Sequence, residues 1–113
     1  MEAVDRAVLE RLADELGDHE AVVEIVRGYL DLLPGRLGEL DTAPGADDGP
    51  QRLAAHTLKS GALLLGAGAL ATAAEQVEHG RGSVEDVRRE ARSAAREWRR
   101  WLASALARDP RTP

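Results

Sequence analysis

The 113-residue chain contains no cysteine and no phenylalanine, and it has only one tyrosine and two tryptophans. Without cysteine it can form neither a disulfide framework nor a thiolate metal or redox site. With so few aromatic residues, its core must consist mainly of leucine, valine and alanine. Leucine and alanine are strong helix formers, and the β-branched and aromatic runs typical of strands are missing. The composition therefore predicts an all-α protein.

The sequence also lacks long apolar runs and an excess of positive charge. No apolar run approaches the roughly 18 residues that a membrane-spanning helix needs, and the first residues contain acids rather than the apolar segment of a signal peptide. The formal net charge of −5 argues against non-specific binding of nucleic acid. We therefore expect a cytoplasmic protein that binds neither membranes nor nucleic acid.

Apolar residues recur at three- and four-residue intervals along most of the chain, as on amphipathic helices. This periodicity predicts five helices, at about residues 4–16, 19–40, 50–65, 70–78 and 83–108. Gly17 is expected to end the first helix, Asp18 to cap the second, and Pro34 to kink the second without ending it. Residues 42–49 are expected to form a loop.

Long amphipathic helices joined by short loops are typical of a helical bundle. We expect an antiparallel up-down four-helix bundle with a short additional N-terminal helix. Residues 1–108 would form this single domain, since the chain is long enough for one core but not for two. Residues 109–113 would be a flexible tail.

The third predicted helix carries a histidine, His56, and the only lysine of the chain, Lys59, in a strongly apolar segment. At about 100° per residue, a buried stripe lies opposite His56 and consists of Ala54, Leu58, Gly61 and Leu65. The histidine side chain should therefore face solvent, with Lys59 on one side and Ser60 on the other. Three leucines surround this surface: Leu53, Leu63 and Leu64. Exposed apolar surface of this kind usually marks a partner site, although these leucines could instead belong to the core.

Acidic residues are absent from residues 49–74, although the chain contains twenty. The only charged residues of this window are Arg52 and Lys59, besides His56 when it is protonated. We interpret this distribution as acids kept away from the histidine, as an added phosphoryl group or an acidic partner pocket would require. A surface selected only for solubility would mix both signs of charge.

His56 has the chemistry of a phosphoryl acceptor, because a neutral imidazole is a good nucleophile near pH 7 and free histidine has a pKa of about 6.5. The phosphohistidine would carry close to two negative charges, which Lys59 could partly offset. The small residues Ser60 and Gly61 would let the backbone of a partner approach. No magnesium-binding carboxylate cluster or glycine-rich phosphate loop accompanies His56. We therefore expect a carrier without cofactor or metal, whose partner supplies most of the catalysis, and not an autonomous enzyme.

The segment His56-Thr57-Leu58-Lys59-Ser60-Gly61-Ala62, followed by Leu65-Gly66-Ala67, resembles the signature of histidine-containing phosphotransfer (HPt) domains of bacterial multistep phosphorelays. The resemblance covers most of the chain. Residues 29–37, including their proline, are similar to the segment before the family's phosphorylated helix. Residues 70–78 are similar to the helix that follows it and ends in Glu. In the family, Gly then Ser commonly follows the lysine, and this order is reversed here.

The resemblance implies a four-helix bundle whose exposed His56 takes a phosphoryl group from a receiver-domain aspartate and passes it to another receiver. Lys59 would match the family's lysine near the phosphate, and Gly66 the glycine that ends the phosphorylated helix. The implied partners are response-regulator receiver domains, with a hybrid histidine kinase as a further candidate, and we expect a monomer. We expect Leu53, Ser60, Gly61, Leu63 and Leu64 to contact the partner.

Two other functions remain open. The protein could be a helical interaction module that binds a receiver or another regulator without being phosphorylated. It could also be a phosphorylated domain of the chemotaxis-kinase type, which has a similar His-x-x-Lys helix and takes its phosphoryl group from an ATP-dependent kinase domain.

The remaining polar and aromatic features favour structural roles. His19 and His79 have no third ligand at a suitable spacing, so we expect no zinc site. Trp98 and Trp101 are expected to anchor the core. A basic stripe on the last helix is expected to be a solvated face with local pairs to Glu85 or Glu97, and consists of Arg88, Arg92, Arg96 and Arg99.

Overall fold

The structure is a computed structural model that describes residues 3–41 and 49–107. Within these residues the chain forms five α-helices and no β-strand, which confirms the all-α prediction. The helices are α1 (Arg6–Leu16), α2 (His19–Glu39), α3 (Gly49–Leu64), α4 (Gly68–Glu78) and α5 (Val84–Ala107). Helix α3 packs against α4, α4 against α5, α2 against both α3 and α5, and α1 against α2. None of these helices is long and apolar enough to cross a membrane.

Side-chain oxygens cap three of the helices. The carboxylates of Asp5 and Asp18 and the hydroxyl of Ser83 each accept a hydrogen bond from a backbone N–H in the first turn of α1, α2 and α5, respectively. These contacts satisfy N–H groups that have no partner inside the helix. Helix α1 ends at Gly17, which adopts a left-handed conformation with a φ of 67°. The predicted cap at Asp18 and the predicted helix end at Gly17 are therefore confirmed.

Helix α2 continues through Pro34, as the unbroken apolar periodicity predicted. Of the predicted loop at residues 42–49, Gly49 already belongs to α3, and residues 42–48 lie outside the described part of the chain. The predicted tail at residues 109–113 also lies outside it.

Aromatic residues from α2 and α5 hold α3 in place. Trp98 is fully buried, and its indole N–H donates a hydrogen bond to the carbonyl oxygen of Leu65 at 3.1 Å. The hydroxyl of Tyr29 donates to the carbonyl oxygen of Leu58 at 3.0 Å. The rings of Tyr29 and Trp98 meet edge to face, with centroids 5.1 Å apart. Trp101 is buried as well, so the prediction that both tryptophans anchor the core is confirmed.

The turn between α3 and α4 depends on Gly66. Its φ is 81°, a backbone conformation that residues other than glycine rarely adopt. A Cβ at this position would lie 2.7 Å from the carbonyl oxygen of Asp5. The carbonyl oxygen of Gly66 accepts a hydrogen bond from the backbone N–H of Asp5 at 2.8 Å. The predicted end of this helix at Gly66 is thus confirmed, and the segment before α1 is fastened to the turn.

Candidate functional site

Helix α3 presents His56 to solvent, and 55% of the histidine side chain is exposed. On the opposite side, Ala54, Leu58 and Leu65 are buried, as the helical periodicity predicted. The orientation of α3 therefore follows from its apolar stripe, because those residues must face the other helices.

A carboxylate from α4 lies directly beside His56. Glu78 Oε1 is 2.8 Å from His56 Nδ1, and Glu78 Oε2 is 2.9 Å from Lys59 Nζ. The interpretation that acids are kept away from the histidine is therefore wrong. The prediction considered only residues 49–74, the part of the chain around His56 that contains no acidic residue. Helix α4, however, runs back along α3 after Gly66 and brings Glu78 to the histidine. Residues 56 and 78 each lie 11 positions from residue 67 (67 − 56 and 78 − 67), so the turn brings them side by side.

Glu78 and Lys59 stabilise each other's charged form. The contact with Lys59 lowers the pKa of the Glu78 carboxyl most strongly, and the contact with His56 lowers it further. In return, the contact with Glu78 raises the pKa of Lys59, and the charge of Glu75 adds to this effect. Near neutral pH the site therefore holds a carboxylate and an ammonium group beside the imidazole. The Glu78 and Lys59 side chains are only 19% and 21% exposed, so both are partly shielded from water.

The contact with Glu78 determines how the imidazole of His56 is protonated. An ionised carboxylate can only accept hydrogen bonds, so the 2.8 Å contact requires a hydrogen on Nδ1. In the neutral ring, Nε2 then carries the free lone pair. Among the described residues, Nε2 has no hydrogen-bond partner. In the neutral ring, the site therefore holds Nδ1 and leaves the Nε2 lone pair without a hydrogen bond to the described residues.

Ser60 and Gly61 have different surroundings, although both are small. The Ser60 side chain is exposed, and its hydroxyl donates to the carbonyl oxygen of His56 at 3.1 Å. Gly61 faces the interior, where an added Cβ would lie 2.1 Å from Cε2 of Tyr29. The small size of Gly61 is thus required by packing within the protein. Whether Ser60 or Gly61 also contacts a partner stays a prediction.

The leucines around His56 are exposed. Leu53 is 67% exposed, Leu63 59% and Leu64 50%, so the alternative that they belong to the core is wrong. Next to Leu53 lies a groove of about 520 Å³ between α2 and α3, lined also by Leu32. The sequence analysis did not identify Leu32, which is 53% exposed, because it lies outside the apolar stripe of α2.

The described residues contain no group of three or more His, Asp or Glu side chains that could hold a metal ion. Glu78 is the principal site residue that the sequence analysis missed. The signal that could have identified it is its distance along the chain from residue 67 in the turn between α3 and α4, which equals that of His56.

The chain is similar to a known protein family. The family model described as "Hpt domain" matches residues 5–108, which include all five helices and the cluster of His56, Lys59 and Glu78. Comparisons with curated proteins and with solved structures gave no match.

Proposed function

The chain belongs to the Hpt domain family, whose members take part in phosphotransfer in two-component phosphorelays, and we propose that His56 is its phosphoryl acceptor. In this proposal the protein takes the group from an aspartate of one receiver domain and passes it to another. The observation that carries the proposal is the exposed imidazole of His56, whose Nδ1 is held by Glu78, a carboxylate that also pairs with Lys59.

We further infer that α2 to α5 form an antiparallel four-helix bundle, with α1 as an additional helix. Two observations support this arrangement. Each of these four helices packs against two of the others. In addition, Arg88 in the first turns of α5 pairs with Asp41, just after the end of α2. The bundle would hold α3 rigidly enough to present His56 at a fixed angle.

We assign the reacting atom as Nε2 of His56. Its lone pair attacks the phosphorus of the aspartyl phosphate and forms an N–P bond, while the P–O bond to the aspartate carboxyl oxygen breaks. The aspartate leaves as a carboxylate. The proton on Nδ1 stays in the hydrogen bond to Glu78, so no proton has to leave the ring during the transfer. The return step is the reverse reaction with a second aspartate.

Lys59 and Glu78 have distinct roles in this proposal. The ammonium group of Lys59, which shares the Glu78 carboxylate with His56, would offset part of the charge of the incoming phosphoryl group. Glu78 keeps the imidazole in the tautomer that exposes the Nε2 lone pair, and it stabilises the positive charge that the ring gains on phosphorylation. A receiver domain would dock on the exposed leucines and contribute the metal ion and the remaining catalytic groups.

The direct test is to incubate the protein with a phosphorylated receiver domain and to measure the acid-labile phosphate that the protein acquires. We expect transfer to wild type and to His79→Gln, a matched control with an exposed histidine outside the site, and none to His56→Gln. Phosphoramidate, a small donor that loses ammonia when it phosphorylates imidazole, tests His56 without a partner. Long-range ¹H–¹⁵N NMR of the product should place phosphorus on Nε2, and phosphorus on Nδ1 would contradict the assignment.

The same assay separates the other two functions. A wild-type protein that binds the receiver but never acquires phosphate would be an interaction module. Transfer from an ATP-dependent kinase domain, but from no receiver, would indicate a domain of the chemotaxis-kinase type. If His56→Gln acquires as much phosphate as wild type, the acceptor is another residue.

A further inference from the structure

A second groove lies between α2 and α5. It has a volume of about 520 Å³, and its apolar floor includes Leu30, Leu33 and Leu37 from α2. Alanines at positions 91 and 95 of α5 keep the groove open. Its α5 side is lined by arginines: Arg88, Arg92, Arg96 and Arg99.

Three of these arginines have no acidic partner within the described residues. Arg88 pairs with Asp41, but no carboxylate of residues 3–41 or 49–107 lies within ion-pair distance of Arg92, Arg96 or Arg99. The prediction that this stripe pairs with Glu85 or Glu97 is therefore wrong. The nearest acid to Arg96 along the chain is Glu97, which lies instead 3.9 Å from Arg6 of α1. Three unpaired arginines on one face are unusual in a chain with a net charge of −5, where acids are abundant.

We propose that this groove is a second docking site and that it binds an acidic amphipathic helix of a partner protein. Leucines on one face of that helix would pack on the floor of the groove. Glutamates or aspartates along its edge would pair with Arg92, Arg96 and Arg99. Arginine suits this role because its guanidinium group can bind a carboxylate through two parallel hydrogen bonds.

The shape of the charged surface favours a helix over other anions. From Arg88 to Arg99 the stripe extends about 16 Å along α5, which matches three turns of a helix rather than a compact phosphate or nucleotide. The apolar floor favours a protein over a nucleic acid, because leucine and alanine offer no stacking surface to bases. The partner class that fits both the arginines and the floor is an acidic helix with an apolar face.

This groove is separate from the phosphotransfer site. His56 and Lys59 lie on α3 and Glu78 on α4, whereas α2 and α5 line the groove. A partner held there leaves His56 accessible, so the groove could tether one protein while His56 exchanges phosphate with another. The inference goes beyond the proposed function, since it requires no phosphorylation.

The test is binding of a fluorescein-labelled helical peptide of about 14 residues, with leucines on one face and glutamates beside them, measured by fluorescence anisotropy. We expect the double variant Arg92→Glu/Arg96→Glu to weaken binding by about tenfold or more. The matched double variant Arg11→Glu/Arg81→Glu makes the same charge change at exposed positions outside the groove and should bind almost as wild type does. A peptide with lysine in place of glutamate should prefer the Arg92→Glu/Arg96→Glu variant.

Four results would overturn the proposal. These are no binding at any practical peptide concentration, equal loss in the two double variants, unchanged binding when the peptide leucines become alanine, and tighter binding of a single-stranded oligonucleotide than of the peptide. Phosphorylation of Arg92→Glu/Arg96→Glu by phosphoramidate should equal that of wild type. His56→Gln should bind the peptide normally, so failure of the groove and failure of the phosphotransfer site are distinguishable.

Discussion

Replacing Gly61 with alanine should destabilise the protein, although the same change within a helix normally stabilises it. A glycine-to-alanine change inside a helix contributes about 1 kcal/mol through helix propensity. At residue 61, however, the new methyl group would lie 2.1 Å from Cε2 and 2.8 Å from Cδ2 of Tyr29. Such atoms cannot approach so closely, so the tyrosine ring or α3 must move.

The ring of Tyr29 has little freedom to move. Its hydroxyl is hydrogen-bonded to the carbonyl oxygen of Leu58, and its edge packs against Trp98. Overpacking of a core typically costs about 1–3 kcal/mol, and loss of the hydroxyl hydrogen bond costs about 1 kcal/mol more. After subtraction of the propensity gain, Gly61→Ala should lower the free energy of unfolding by about 2 kcal/mol.

Urea unfolding followed by far-UV circular dichroism measures this change. Gly28→Ala is the matched control, since a Cβ there meets nothing within 4 Å, and it should stabilise the protein slightly. In a Tyr29→Leu background, Gly61→Ala should cost less, because the clashing ring atoms are gone. If Gly61→Ala stabilises the wild-type protein as much as Gly28→Ala does, the packing argument is refuted.

Three further predictions concern the turn, the tyrosine and the ion pair. Gly66→Ala should lower the free energy of unfolding by about 2 kcal/mol, because Gly66 has a positive φ and a carbonyl oxygen close to where a Cβ would lie. Gly68→Ala is the control and should have little effect, since a Cβ there meets nothing within 4 Å. Thermal unfolding of both variants measures the difference. Burial raises the pKa of Tyr29 to about 12, so absorbance at 295 nm should show its ionisation near that pH. The free energy of unfolding should fall by up to about 3 kcal/mol as the pH rises from about 10 to 12. A midpoint near 10 in folded protein would contradict this. Because the pKa of Glu78 is lowered in the folded protein, its carboxylate stabilises the fold at pH values above the ordinary pKa of a carboxyl group. This stabilisation is lost as the pH falls through the lowered pKa. Glu78→Gln should therefore weaken the dependence of the free energy of unfolding on pH in the acid range, as measured by urea unfolding. An unchanged profile would mean that the contact with Lys59 does not persist in solution.

Local signals in the sequence were sufficient to predict the helices and the orientation of α3. The cap at Asp18 and the helix end at Gly17 depend on residues within a few positions of each other, so both can be predicted from a short stretch of sequence. The exposure of His56 follows from the apolar stripe on its own helix.

Contacts between helices were harder to predict. The pairing of Glu78 with His56 and Lys59 depends on how α4 packs on α3, and a window along one helix contains no information about that. The same reason applies to Gly61, whose missing side chain makes room for Tyr29 of α2. Helix periodicity determines which face is buried, but not which residue of a neighbouring helix lies opposite.

The single ammonium group at the site is already shared before any phosphate arrives. Lys59 faces Glu78 in the unmodified protein, so a phosphoryl group on His56 would have to compete with that carboxylate for the Lys59 ammonium group. If His56 is the phosphoryl acceptor that we propose, this competition would limit how strongly the phosphorylated form is stabilised. Transfer of the phosphoryl group to a receiver would then be easier than from a site whose lysine had no competing carboxylate.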